Sequence, residues 1–562
     1  LHAKENMMIL AFEFHYVSHN GVLENFLFQA LKENPLPFSL TRKETVLSLC
    51  VEGEEEALLS FSDKLGTTLP LSLFFRSLHV RVADALEKES MACPECHVPL
   101  PFTPKMLAQV LEEGGKAYFD PFLAPEFGLA WGAHAPLVFA GETKTLSSEA
   151  ISYAALFEAA AKHMVATGAL HIKSASGWYR AVPVTQQVAY EEGKTLIVPC
   201  DLSVVEKMVV IKEDEIKALA SLEKPLLRLN INAIYAQKGF LETPFVSMKM
   251  ADDLLLYLLC LSLFKEGVEF IALSPSAPVE ANALYGQGGQ VRENIGVTVL
   301  ENGEFVPVFG EVYANPVLQK SAEAFEQPSH GRFAALLKEH RLFQKNVGGF
   351  YFSQTHDDAV MVYQEAHGMV ELLHVTFPDT LGALLDEIAT STSGERLVEN
   401  YTKEFPELVA HARSISLANE PKSIATLIGA AGVLFGYGNS VQEALKTMLD
   451  NALLYSGMKG PRIDFLVQGE TLKGAFHAAR IVRSGMSYRL AGADAYTLSF
   501  GYLDSLAHFT SDTLDRLKEE FGVTHVGFCG SLFGNKRMAE GAARHAKVAF
   551  TVCFNQEIPI DA

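Results

Sequence analysis

Two short stretches of this 562-residue chain have residue types and spacing suited to chemistry. The first is VTHVGFCGSLFGNKRMAEGAARH, residues 523–545. Its apolar start reads as a buried strand and its end as a helix; the turn between them holds Gly530, Ser531, Gly534 and Asn535. Small residues let a phosphate approach the backbone, and the unpaired N–H groups of a helix's first turn point at it. The stretch fits an anion or nucleotide cradle, and it also fits an ordinary strand-to-helix turn. The second stretch is Cys93-Pro-Glu-Cys96-His97. C-P-x-C supplies two thiolates of a zinc knuckle, whereas a structural zinc takes four ligands. No second C-x-x-C follows, which leaves His97 and the distant His134 as further candidates. Two reduced cysteines in a turn is the other reading.

The elements that must position these residues belong to several domains, since a domain runs to about 100–200 residues. Within residues 8–84, strands at 8–15, 45–52 and 73–82 alternate with helices at 23–32 and 54–64. That alternation in so short a segment predicts a split βαβ sandwich. Residues 114–131, rich in Gly, Pro and Phe, read as a long loop. Residues 148–167 form an amphipathic helix ended by Gly168. Strands follow at 169–173, 194–199, 226–232 and 270–274, with a small-residue turn at 174–177. From Gly286 to Pro316 the pattern is strand-turn-strand. Helices come next, including 423–437 with its Gly-Ala-Ala-Gly face and the long stretch 494–520.

The composition limits the function classes. Hydrophobic residues make up 49% of the chain, enough for packed cores, and the formal net charge is −21. The isoelectric point is about 5.3 and the mean hydropathy +0.13. An acidic surface repels phosphate backbones, which argues against a nucleic-acid partner and leaves room for a local mononucleotide pocket. The seven cysteines are scattered, unlike a disulfide framework, as expected in a reducing compartment. The longest apolar run, 254–264, falls short of the roughly 20 residues that span a bilayer. The start lacks the order of a signal peptide. A cytoplasmic protein with no membrane insertion is the expectation.

Several motifs then point to one family. Residues 8–84 resemble an acylphosphatase domain, whose phosphate loop G-V-G-F-R appears here as Gly21-Val22-Leu23-Glu24-Asn25. Asn25 stands in place of the arginine, Glu24 brings an anion into the loop, and Arg42 and Lys43 fall near the place of the catalytic asparagine. IKSASGWYRA, residues 172–181, resembles the signature of YrdC-like domains, and Lys194-Thr-Leu-Ile-Val matches its K-P-L-A-V. That resemblance implies nucleotide-binding roles for Lys173 and Lys194. The cation-rich segment usual between them is here PVTQQVAYEEG, with two glutamates. Gly289, Arg292-Glu293-Asn294 and Gly310-Glu311 resemble the opening of the large carbamoyl-transfer domain of the HypF family. CGSLFGN, residues 529–535, is similar to that family's nucleotide-proximal turn S-G-G-V-F-Q-N.

The order of these matches is the HypF order along nearly the whole chain. It implies an acylphosphatase-like domain (7–88), a C-x-x-C linker of degenerate zinc-finger type (89–146), a YrdC-like domain (147–285) and a C-terminal domain of actin-like ATPase type (286–562), an α/β and α+β multidomain chain. HypF proteins are carbamoyltransferases of nickel–iron hydrogenase maturation. The resemblance implies a relay in which carbamoyl phosphate is split, adenylated and passed to a partner cysteine at a metal-bearing site. That site uses a histidine cluster with two metal ligands four apart on one helical face. The matching stretch here is Ser353-Gln354-Thr355-His356-Asp357-Asp358-Ala359, continuing to His367-Gly368, with Thr355 and Ala359 at the metal-histidine positions. His356, Asp357 and Asp358 read as capping groups at a helix start or as ligands of a different site. A chain that keeps the architecture and replaces residues at each site resembles the HydE-type accessory proteins of hydrogenase operons. The implied role is accessory, with hydrogenase maturation factors or the hydrogenase large subunit as partners and ATP or AMP as ligand. Zinc at Cys93 and Cys96 is a further option. The alternatives are an active carbamoyltransferase using Lys173, Lys194 and Asn535, and a nucleotide sensor.

Overall fold

The computed structural model describes residues 7–94, 137–139, 142–144, 151–174, 176–279, 283–286, 293–468 and 472–562. The chain divides into two compact units, Leu1–Val297 with Gly310–Asn315, and Thr298–Phe309 with Pro316–Ala562.

The first unit begins with β1 (Met7–Tyr16), α1 (Val22–Glu33), β2 (Phe38–Lys43), β3 (Val46–Glu54), α2 (Glu55–Thr68) and β4 (Phe75–Ala83). Their sheet order, β2-β3-β1-β4, is antiparallel throughout and places β3 and β1 between the strands that each helix connects. This is the expected split βαβ sandwich. Phe12, Phe14 and Tyr16 alternate into the core from β1 and meet Leu47, Leu49 and Val51 from β3. Strand β2 was not legible in the sequence, because Phe38–Lys43 buries only Ser39 and Leu40.

A ten-stranded sheet completes this unit. It comprises β5 (Leu137–Phe139), β6 (Glu142–Lys144), β7 (Leu170–Ser174), β8 (Gly177–Pro183), β9 (Leu196–Pro199), β10 (Val209–Val210), β11 (Leu227–Ile231), β12 (Phe245–Met248), β13 (Phe270–Pro275) and β14 (Ala283–Gly286). Its order is β10-β11-β12-β9-β13-β8-β7-β14-β5-β6. The last two strands of that order, β5 and the edge strand β6, come from the segment assigned to the C-x-x-C linker on sequence. Two helices, α3 (Ile151–Thr167) and α4 (Leu254–Lys265), pack against each other. Gly168, at φ 80, ends α3 in the left-handed conformation that glycine adopts without strain. Asp253 caps α4 by accepting the N–H of Leu256, and the apolar run 254–264 is thus a core helix.

β15 (Gly296–Val299) and β16 (Phe305–Phe309) form a two-stranded ladder. The main sheet of the second unit contains β17 (Val347–Tyr351), β18 (Ala359–Gln364), β19 (Gly368–His374), β20 (Gly474–Ala475), β21 (His525–Cys529) and β22 (Thr551–Phe554). The order is β20-β19-β18-β17-β21-β22. β17, β18 and β19 form an antiparallel meander, and β21 and β22 add in parallel beside β17. The helices that matter here are α5 (Pro328–Glu339), α6 (Leu381–Ile388), α7 (Ile424–Phe435), α8 (Val441–Leu454), α9 (Ala495–Phe521) and α10 (Lys536–Ala546).

Every residue of α7 is buried, as an all-apolar helix requires. Its Gly-Ala-Ala-Gly stripe faces α8: a Cβ on Gly429 would lie 2.4 Å from the carbonyl oxygen of Val441. Small residues there allow the two helices to approach closely. The long helix α9 is capped by Asp494 and closed by Gly522 at φ 64, close to the expected 494–520.

Candidate functional site

β17 and β21 are adjacent parallel strands, and Tyr351 pairs with Cys529 at their ends. The segments beyond such ends form a crevice where parallel sheets bind ligands. Beyond β21, Gly530 takes φ 95, and a Cβ there would lie 2.2 Å from the Phe352 oxygen. Only glycine fits. Ser531–Gly534 then make one 3-10 turn before α10 starts at Lys536. The residues Gly530, Ser531, Gly534 and Asn535 are therefore one continuous turn, as expected.

Several of the turn's donors, however, are already engaged. The Ser531 N–H donates to Asp561 Oδ2 at 2.8 Å, and the Ser353 hydroxyl donates to the same oxygen at 2.6 Å. The Tyr351 hydroxyl donates to Asp561 Oδ1, and His356 Nδ1 lies 3.5 Å from that oxygen. Gly530 N–H is bonded to the Ile560 carbonyl and Leu532 N–H to that of Phe352. Burial alone would raise the Asp561 carboxyl, but hydrogen bonds from Ser353, Ser531 and Tyr351 outweigh it and hold the group below the usual carboxylate range. The Tyr351 phenol is pushed up by burial and by the charge of Asp561. Asn535 is the N-cap of α10, accepting from Arg537 N at 3.0 Å and Met538 N at 3.4 Å. Its amide nitrogen donates to the Leu449 carbonyl. An internal carboxylate thus takes the N–H of Ser531, and the Asn535 side chain takes those of Arg537 and Met538. Gly534 packs its backbone by Val308 and accepts the Thr298 hydroxyl at 2.6 Å.

The expectation of a helix start at residues 353–359 is also corrected. Phe352–Asp358 is the connection between antiparallel strands β17 and β18, and Ala359 opens β18. Asp358 accepts Ser353 N and Ile424 N, each at 2.7 Å, and caps the distant helix α7 instead of a local one. Burial raises its carboxyl well above the ordinary value. Asp357 accepts Lys422 N at 2.7 Å. The first helix after the meander is α6, Leu381–Ile388, whose sequence LGALLDEI holds no histidine. Gln354 joins this connection to the turn, its N–H donating to Ser531 Oγ at 2.9 Å and its side chain to the Ser531 carbonyl at 3.1 Å.

In the four-stranded sheet, Gly21 takes φ 80 as the N-cap of α1. The buried Glu24 carboxylate receives Arg42 Nη1 at 2.5 Å. Arg42 Nη2 also donates to the carbonyls of Tyr16 (2.8 Å) and Ser18 (2.5 Å). The arginine near the asparagine position therefore anchors the loop from inside. Asn25 donates to the carbonyls of Gly21 and Pro94, and the Cys93 thiol donates to Asn25 Oδ1 at 3.4 Å. Burial, then the charge of Glu24, raises the Cys93 thiol above its usual value. Cys96, His97 and His134 lie outside the described residues, as do Gly289, Arg292 and most of 89–146.

In the ten-stranded sheet, Lys194 is exposed and pairs with Glu191 at 2.5 Å. It lines a cleft of 740 Å³ with Tyr190, Thr195, Glu242 and Ser274. Lys173, on β7 opposite Trp178, is not among the lining residues. The sequence reading missed Lys249, which follows β12 and is fully buried. Its ammonium donates to Asp252 Oδ2 and Asn294 Oδ1, each at 2.7 Å, and to Ser176 Oγ at 3.0 Å. An internal cation thus meets the small-residue segment at Ser176. A second lysine, the half-buried Lys224, is lowered to about 8 by desolvation, against the opposing charges of Glu223 and Asp252. The one sequence signal for Lys249 is a lone cation inside the apolar run FVSMKMA, three residues before an aspartate. Asn294 and Gly310, from two separate family motifs, pack together: a Cβ on Gly310 would lie 2.3 Å from the Asn294 carbonyl oxygen.

No protein-family model matches the chain. Among curated proteins it is similar to the Protein HydE of Wolinella succinogenes, 26% identical over 566 residues, covering 99% of this chain and 100% of that one. Among solved structures it is similar to full-length HypF in the phosphate- and nucleotide-bound form, with a TM-score of 0.62 and 13% identity over 99% of this chain and 96% of that one. It is also similar to T. kodakarensis HypF, with a TM-score of 0.65 and 11% identity at the same coverage. The chain has the HypF fold along nearly its whole length, as the order of its motifs led us to expect. No helix among the described residues is long and apolar enough to cross a membrane.

Proposed function

We propose that this chain is a HypF-like accessory protein of nickel–iron hydrogenase maturation, which binds maturation factors or the hydrogenase large subunit and does not itself transfer carbamoyl groups. The full-length likeness to HydE and to HypF structures supports the setting. The observation that carries the accessory role is the Asp561 carboxylate on the Ser531 N–H. A carboxylate held there repels a phosphate and satisfies the donor that would bind it. Two further features support the same reading. Arg42 is committed to Glu24 and two carbonyls, and Lys249 is committed to Ser176, Asp252 and Asn294. The second reading, an active carbamoyltransferase, draws on the cleft beside Lys194, whose volume suits a nucleotide such as ATP or AMP. Glu191 and Glu242 in its lining oppose a triphosphate. The test is carbamoyl-phosphate-dependent release of pyrophosphate from ATP by the purified full chain. The accessory role calls for no release above background, together with a stable complex with purified hydrogenase large subunit or maturation factor. Turnover near ~1 per second, an ordinary enzyme rate, overturns it in favour of the enzyme.

A further inference from the structure

Helix α9 carries Asp504 and His508 four residues apart, on one face and one turn from each other. Helix α10 packs along α9 and brings in His545 from its last turn. The His508 and His545 ring centroids are 4.1 Å apart, with planes inclined at 39°. One ligand atom from each of Asp504, His508 and His545 lies within 4.8 Å of the others. Metal–nitrogen and metal–oxygen bonds of about 2.0–2.2 Å place such atoms roughly 3–4 Å apart, a small side-chain rotation away. His508 is exposed, whereas Asp504 and His545 are half-buried. Asp504 and His508 also line a cleft of 370 Å³, with Asp464, Asp512 and Arg462 around it.

We propose that Asp504, His508 and His545 bind a late first-row divalent cation of the zinc, cobalt or nickel type, with an open coordination position toward the cleft. Two imidazoles and a carboxylate select such ions over magnesium or calcium, which prefer all-oxygen sites. Three protein ligands leave room for water or an exogenous donor, unlike a closed structural site. The site is separate from the turn at Gly530–Asn535: His545 sits nine residues beyond Lys536, about 14 Å along α10. It does not depend on the accessory reading.

The test uses the full chain carrying Cys93→Ser and Cys96→Ser, which removes competing thiolates. Cobalt(II) titration should give d–d absorption saturating at one ion per chain and displaced by zinc. His508→Ala with His545→Ala should weaken binding at least about 30-fold, the scale of losing ligand groups. Absorption absent up to about 1 mM cobalt, or affinity within about 3-fold of the parent in the double variant, overturns the proposal. A second measurement needs no substitution. In the unaltered chain, zinc should protect His508 and His545 from diethylpyrocarbonate, read by peptide mass spectrometry; equal modification with and without zinc also overturns it.

Discussion

The carboxylate of Asp561 accepts the backbone N–H of Ser531 at 2.8 Å, joining residues 30 apart in sequence at the turn best placed to hold an anion. The same oxygen takes the Ser353 hydroxyl at 2.6 Å. Hydrogen bonds to a buried charge are worth about 1.5–3 kcal/mol each in net stability. Asp561→Ala should therefore lower the stability of the second unit by roughly 3 kcal/mol. Because the folded carboxyl lies below its unfolded value, its contribution is present above the unfolded pKa near ~4 and lost as pH falls through the folded one. Urea unfolding at pH 7 and at pH 3 should show the wild-type advantage over Asp561→Ala shrink at the lower pH.

Lys249 and Asp252 form a pair that neither member can leave cheaply. Lys249→Met leaves the half-buried Asp252 carboxylate without its cation and should cost up to about 3 kcal/mol. Adding Asp252→Asn removes the stranded charge and should recover part of the loss. Denaturant midpoints for the single and double variants measure the coupling; a double variant no more stable than Lys249→Met would show that the ion pair is not the cause.

Glu339, the last residue of α5, is pushed up to about 8 by burial, with Glu557 adding to the effect. Its Oε1 accepts the N–H groups of Gln556 and Glu557 at 2.8 and 2.9 Å. The unfolded chain releases this proton near pH ~4.3, so stability falls as pH rises from there to about 8. Glu339→Gln keeps the acceptor and removes the titration. Its melting temperature relative to wild type should rise between pH 6 and pH 9; parallel curves would remove Glu339 as the source.

Gly530 at φ 95 leaves no space for a Cβ beside the Phe352 oxygen. Gly530→Ala should destabilise the second unit by about 3 kcal/mol or more, combining backbone strain with overpacking. Gly168→Ala, at φ 80 with open space around its Cβ, should cost only about 1 kcal/mol, and thermal melts of the two variants separate strain from steric clash.

The sequence was legible where local chemistry decides structure. Asp494 and Gly522 mark the ends of α9, and the alternation in 8–15 gives β1. Strand β2 was missed because its burial comes from pairing with β3, not from its own pattern. The glycine turn was found, but its occupant was not, since nothing near residue 531 announces Asp561. Lys249 escaped for a like reason: its partners Ser176 and Asn294 are 73 and 45 residues away. The cluster of Asp504, His508 and His545 shows half of itself as a Asp-x-x-x-His spacing, and the other half only when α10 packs on α9.

The parallel pairing of β17 with β21 has a consequence for biosynthesis. Ser353 and Asp561 are 208 residues apart, so the loop after β17 leaves the ribosome long before its partner is translated. The meander β17–β19 can form early from neighbouring residues, but the crevice cannot close until residue 561 has emerged. Throughout that interval the edge of β17 that will receive β21 is unpaired and open to wrong partners, which makes nascent-chain protection by a chaperone most valuable for this unit.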